Sequence, residues 1–128
     1  MTDLTSAEPS PLASFRWDYR IILVSTPAAN AENVVSEFKS SCDAINERHI
    51  LWFVLGGESV ATNYAEPLPE SFPTEVLKYY FKDASDETEV RLIGKDGGVK
   101  EKADALDLDR LFALIDSMPM RQAEMKQD

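Results

Sequence analysis

Apolar and polar positions alternate along this chain in distinct local rhythms, and each rhythm predicts an element. Arg20-Ile21-Ile22-Leu23-Val24-Ser25 and Ile50-Leu51-Trp52-Phe53-Val54-Leu55 are short continuous apolar runs, rich in β-branched and aromatic residues. That pattern suits strands covered on both faces. Between them Ala31, Val34, Val35, Phe38, Cys42 and Ile45 recur at spacings of three and four, with Glu32, Glu37, Lys39 and Asp43 off the stripe. The spacing predicts a helix over residues 31–46 with one buried face. Pro27 ends the first strand, and Asn30 is placed to cap the helix through its side-chain oxygen. Strand, helix and strand with short connections form a βαβ unit, whose crossover is expected to be right-handed.

Further along, Gly56-Gly57 closes the second strand, and Pro67, Pro69 and Pro73 mark residues 58–73 as a long loop. Thr74 is placed to cap a short helix that buries Val76, Leu77, Tyr80 and Phe81, and residues 83–87 form an acidic loop. Val90-Arg91-Leu92-Ile93 and Val99-Lys100 flank Gly94-Lys95-Asp96-Gly97-Gly98 and read as a hairpin. Asp96-Gly97 suits a type I′ turn, in which both central residues take positive φ. Asp107 then caps a helix whose stripe is Leu108, Leu111, Phe112, Leu114, Ile115 and Met118, stopped or restarted by Pro119. Phe15 and Trp17 alternate with Arg16 and Asp18 ahead of the first strand. Residues 1–14, with Pro9 and Pro11, read as a flexible leader, 15–120 as the domain and 121–128 as a polar tail. The order β-α-β-α-β-β-α, a parallel pair followed by a hairpin, predicts an α/β fold with a mixed sheet between helices on both faces.

Charge narrows the possible partners. Thirteen Lys and Arg against 23 Asp and Glu give a net charge of −10 over 128 residues. Such a surface repels phosphate backbones, which argues against nucleic acid and leaves a protein or a small molecule as partner. No apolar run approaches the roughly 18 residues of a membrane span, so no membrane insertion is expected. The start lacks a basic segment followed by an apolar one, so the chain as given reads as cytoplasmic. Removal of an upstream signal peptide would make it periplasmic or secreted. The oligomeric state is not specified by these patterns. Cys42 is the only cysteine, which excludes an internal disulfide, a CxxC motif and a cysteine-based zinc site. No metal and no cofactor are expected.

The segment Arg91-Leu92-Ile93-Gly94-Lys95-Asp96-Gly97-Gly98-Val99-Lys100, followed by residues 111–121 with Met118-Pro119-Met120-Arg121, resembles the bacterial domain-of-unknown-function family 4174. Phe15-Arg16-Trp17 with Arg20, and Glu47-Arg48, add to the resemblance, which spans about residues 15–125. It implies a thioredoxin-like, peroxiredoxin-related fold of three α/β/α layers, and no established reaction. It also implies similarity to domains of animal extracellular-matrix proteins, and many members look exported. This chain departs from the pattern before the hairpin, where Tyr79-Tyr80-Phe81-Lys82 and the acidic loop replace a basic-aromatic-Gly segment.

Thioredoxin-like enzymes set a thiol at the N-terminus of the first helix, where the helix dipole favours thiolate. Here that position reads Ser25-Thr26-Pro27-Ala28-Ala29-Asn30, without a thiol, and residues 83–89 lack the proline that usually faces such a site. Dithiol chemistry is therefore excluded. Cys42 sits on the apolar stripe of the first helix and reads as a small buried hydrophobe. The alternative use of Cys42 is as the thiol of a one-cysteine peroxidase-like enzyme. Ser25, Thr26 and His49 are the weaker candidates for a hydrolase, with no nucleophile-elbow motif to support them. The Gly94–Gly98 segment lacks the spacing of a phosphate loop and joins strands. The balance is against an enzyme and favours a redox-inactive binding module. Its expected contact edge is built from Thr26, Pro27 and Asn30 with Gly56 and Gly57, at the strand ends where open α/β sheets take ligands.

Overall fold

β1 (Arg20–Thr26) and β2 (Ile50–Gly56) lie parallel at the centre of the sheet, with Arg20 beside Ile50 and Thr26 beside Gly56. The structure, a computed structural model, describes residues 11–56, 59–81 and 87–126. β3 (Ser59–Thr62) runs antiparallel to β2, β4 (Glu89–Ile93) antiparallel to β1, and β5 (Val99–Ala103) antiparallel to β4. The strand order is β3-β2-β1-β4-β5. The expected mixed sheet is present, with a fifth strand in what was expected to be loop. Ser59-Val60-Ala61-Thr62 is too short and too polar to stand out by pattern, and its pairing with β2 supplies what its side chains do not.

Successive side chains of the central strands point to opposite faces. Ile21, Leu23, Leu51, Phe53 and Leu55 pack on one face with Leu12, Phe15 and α3 (Phe72–Tyr80), including Val76 and Tyr80. Ile22, Val24, Trp52 and Val54 pack on the other with α1 (Ala28–Ser40), α2 (Cys42–Glu47) and α4 (Leu108–Asp116). This gives the three expected layers. Leu12 is buried, so the segment read as leader supplies a core residue. Thr74 does not cap α3, which begins earlier with Pro73 in its first turn. Asp107 does cap α4, accepting from the Arg110 amide at 3.2 Å. Residues 83–86 of the expected acidic loop lie outside the described residues.

The helix expected over 31–46 is two helices. Ser40 back-bonds to the Ser36 carbonyl at 2.9 Å, and Ser41 leaves helical geometry at φ −115°. Such hydroxyl competition loosens a helix end. The break changes the phase of the stripe, so Phe38 and Ile45 are buried while Cys42 is exposed. Asn30 lies inside α1 and caps nothing; Pro27 occupies the cap position without a side-chain bond.

The hairpin turn also differs from type I′. The Gly97 amide donates to the Gly94 carbonyl at 3.0 Å, and Gly97, unlike Asp96, has positive φ, at 87°. This is a turn over Lys95-Asp96 followed by a left-handed glycine, with Asp96 accepting from the Gly98 amide at 2.9 Å. Finally, Pro119 restarts a helix. α5 (Pro119–Lys126) occupies most of the segment expected as a polar tail.

Candidate functional site

The sheet has two working edges, about 20 Å apart along the seven residues of β1. At the C-terminal edge stand the sequence-derived candidates. Thr26 is buried, and its hydroxyl pairs with that of Thr88 at 2.8 Å. Gly56 is buried against α1, where a Cβ would come within 2.6 Å of the Ala31 Cβ. Pro27 and Asn30 are exposed. The edge thus brings Thr26, Pro27, Asn30 and Gly56 to one end of the sheet; Gly57 lies outside the described residues. Cys42 does not join them, because it starts α2 beyond the far end of α1. Its polar partner is the Asp43 carboxylate at 3.9 Å. His49 precedes β2 at the opposite edge, so no constellation with Ser25 and Thr26 forms.

The N-terminal edge holds a cluster of buried charge. Arg20 opens β1 with only 1% of its surface exposed. Its Nη1 donates to the Arg48 carbonyl at 2.8 Å, and Nη1 and Nη2 each donate to one oxygen of Glu124 at 3.2 Å. Lys95 is buried in the hairpin turn and donates to Glu124 at 2.6 Å and to His49 Nδ1 at 2.9 Å. Lysine carries only donors, so Nδ1 is the acceptor in that bond. Arg121 is also buried, donating to Asp116 at 3.2 Å and to the Glu47 carbonyl at 3.1 Å. Arg48 holds Asp116 with two bonds of 3.0 and 2.8 Å, and its guanidinium lies 4.7 Å from the centre of the Phe112 ring.

Charge pairing sets the protonation of this cluster. Burial pushes the Glu124 carboxyl up, but the bonds from Arg20 and Lys95 and their charges outweigh it and hold it at about 2. The Arg48 guanidinium, against a smaller opposing effect of burial and with help from Arg121, holds Asp116 below the usual carboxylate range. Arg20, Arg48, Lys95 and Arg121 against Glu47, Asp116 and Glu124 leave one positive charge in excess. Two strained residues border the cluster. Trp17 and His49 take positive φ, 72° and 55°, at a cost of about 1 kcal/mol each. The Trp17 amide donates to the Lys95 carbonyl at 2.7 Å, and the His49 carbonyl accepts from Arg20 at 2.8 Å. Strain held at such positions accompanies functional sites.

The residues of this cluster come largely from the motifs that carried the family resemblance: Arg20, Glu47-Arg48, Lys95 and Arg121. Their convergence was not legible from spacing, and Glu124 was missed altogether. The available signal was a charged residue at the head of an apolar strand, and Arg121 and Glu124 one helical turn apart. Among the described residues no group of three or more His, Cys, Asp or Glu forms a metal site. Among them, too, no helix is long and apolar enough to cross a membrane.

The mixed sheet between two helical layers is a thioredoxin-like fold. Among solved structures, the mitochondrial 2-Cys peroxiredoxin from Plasmodium falciparum is similar, with a TM-score of 0.58 over 83% of this chain and 79% of that chain. At 13% identity the likeness shows the fold alone. The family model described as domain of unknown function DUF4174 matches residues 11–124, and the chain belongs to that family. No curated protein matches it.

Proposed function

We propose that this domain is a binding module that works without thiol redox chemistry. The observation that carries the reading is Thr26, at the end of β1 where a thioredoxin-like enzyme sets its thiol against the first helix. The Thr26 hydroxyl is buried and paired with that of Thr88, so it presents no group at the surface of this edge. Pro27 and Asn30 form the exposed surface of this edge, with Thr26 and Gly56 supporting them from below. A peroxidatic thiol also needs cationic surroundings that favour thiolate, whereas Cys42 neighbours a carboxylate.

The test is peroxide consumption with a thiol reductant, run on the native chain and on Cys42→Ser. Equal, background-level consumption is the expected result. Because Cys42 is exposed, the substitution leaves the core untouched and a thiol reagent should label the native protein stoichiometrically. Turnover that disappears in Cys42→Ser would establish the one-cysteine enzyme instead.

A further inference from the structure

We propose that the N-terminal edge of the sheet binds a small organic carboxylate with an apolar body. A cavity of about 320 Å³ opens beside the charge cluster, bordered by Arg20, Lys95 and Lys100. That volume is at the lower end for small-molecule sites. Met118, Pro119 and Met120 supply an apolar wall at the start of α5, whose positive end borders the same space. The site goes beyond the reading above, and the peroxide assay is blind to it.

Three features set the ligand class. The first is unmet donor capacity. Arg20 is almost wholly enclosed and uses three of its five N–H groups; Nε and one Nη2 proton meet no acceptor among the described residues. Buried donors of a charged group demand an acceptor, and the cavity is where one can enter. The second is net charge. Arg20, Lys95 and Lys100 face the space against Asp96, which pairs with Lys100, and Glu124, which is shared by the other two cations. One positive charge remains, which matches a monoanion, while a dianion would be repelled by Asp96 and Glu124. The third is the methionine and proline wall, which favours an apolar body attached to the charged head. A carboxylate also accepts two parallel bonds from a guanidinium.

Octanoate is the probe, titrated into the full chain by calorimetry at low ionic strength, with acetate and octan-1-ol as controls. Octanoate should bind saturably, one per chain, at least about tenfold more tightly than either control. Amide resonances of Gly94, Asp96 and Met120 should shift on addition. Met120→Glu places a carboxylate in the wall at an exposed position and should weaken octanoate about tenfold, with unchanged melting. Met120→Leu, which keeps the wall apolar, should retain affinity. Absence of saturable binding up to about 10 mM, about ten times the dissociation constant of a weak site of about 1 mM, would overturn the proposal. So would equal binding of octanol, or full affinity in Met120→Glu.

Discussion

Replacing Glu124 with Gln removes one negative charge from between Arg20 and Lys95 while keeping the side chain's shape. Two routes give the expected cost. The carboxyl is held at about 2 against an ordinary 4.5, and at about 1.4 kcal/mol per pH unit that depression corresponds to about 3 kcal/mol of native stability at neutral pH. Breaking a buried ion pair by neutralising one partner typically costs about 3–5 kcal/mol, because the other charge stays buried without compensation. Arg20 has 2% of its side chain exposed and Lys95 7%, so neither can turn to solvent. The assay is urea unfolding of both proteins from pH 7 down to pH 2. At pH 7 the variant should be less stable by about 3 kcal/mol, or about 10 °C in melting temperature for a domain of this size. A depressed carboxyl stabilises above its unfolded pKa and loses that contribution as pH falls through its folded pKa. The gap between the two proteins should therefore be complete above pH 4.5 and close progressively toward pH 2. Comparing the two proteins cancels the other carboxylates, Asp96 and Asp116 among them. A variant within about 0.5 kcal/mol of the native chain at pH 7 would refute the buried network, as would a gap that does not shrink in acid.

Phe38→Ala should cost about 3–5 kcal/mol in chemical unfolding, since Phe38 is fully buried and stacks on Trp52 with ring centres 4.8 Å apart. Phe112→Ala should cost less, about 2 kcal/mol, because Phe112 is only partly buried, packing against the core cluster and under the Arg48 guanidinium; equal losses would show the face of α4 to be misassigned. Gly56→Ala should destabilise by about 1–3 kcal/mol, as its Cβ would lie 2.6 Å from that of Ala31. Unchanged melting there would mean that α1 does not approach β2 so closely.

Where a residue's role depends on neighbours within a turn or two, the sequence was legible. The runs at 20–25 and 50–55 became β1 and β2, and Asp107 capped α4, because burial of alternate residues and orphan helix amides are local matters. Cys42 shows the limit. Its spacing from Phe38 was that of a core residue, and a single departure from helix geometry at Ser41 turned it to solvent. β3 was missed because its stability lies in hydrogen bonds to β2, and α5 because the two residues that anchor it, Arg121 and Glu124, are charged and face partners rather than water. The fold that the motifs implied brings Thr26, Pro27, Asn30 and Gly56 to one end of the sheet, but that Thr26 and Gly56 would be buried there was not legible from spacing.

By itself, the sequence determined the layered α/β architecture, the family and the lack of a dithiol, since periodicity, motif and residue type are properties of the chain read in order. Only the tertiary structure decided where the buried charge gathers. Arg20 meets Glu124 across 104 residues of chain, and Lys95 meets His49 across 46. Locally, little beyond the place of Arg20 at the head of an apolar strand and the one-turn spacing of Arg121 and Glu124 sets these residues apart from solvated ones. They become a cluster because the parallel strands and the returning α5 bring them together, and burial then forces each charge to find its partner.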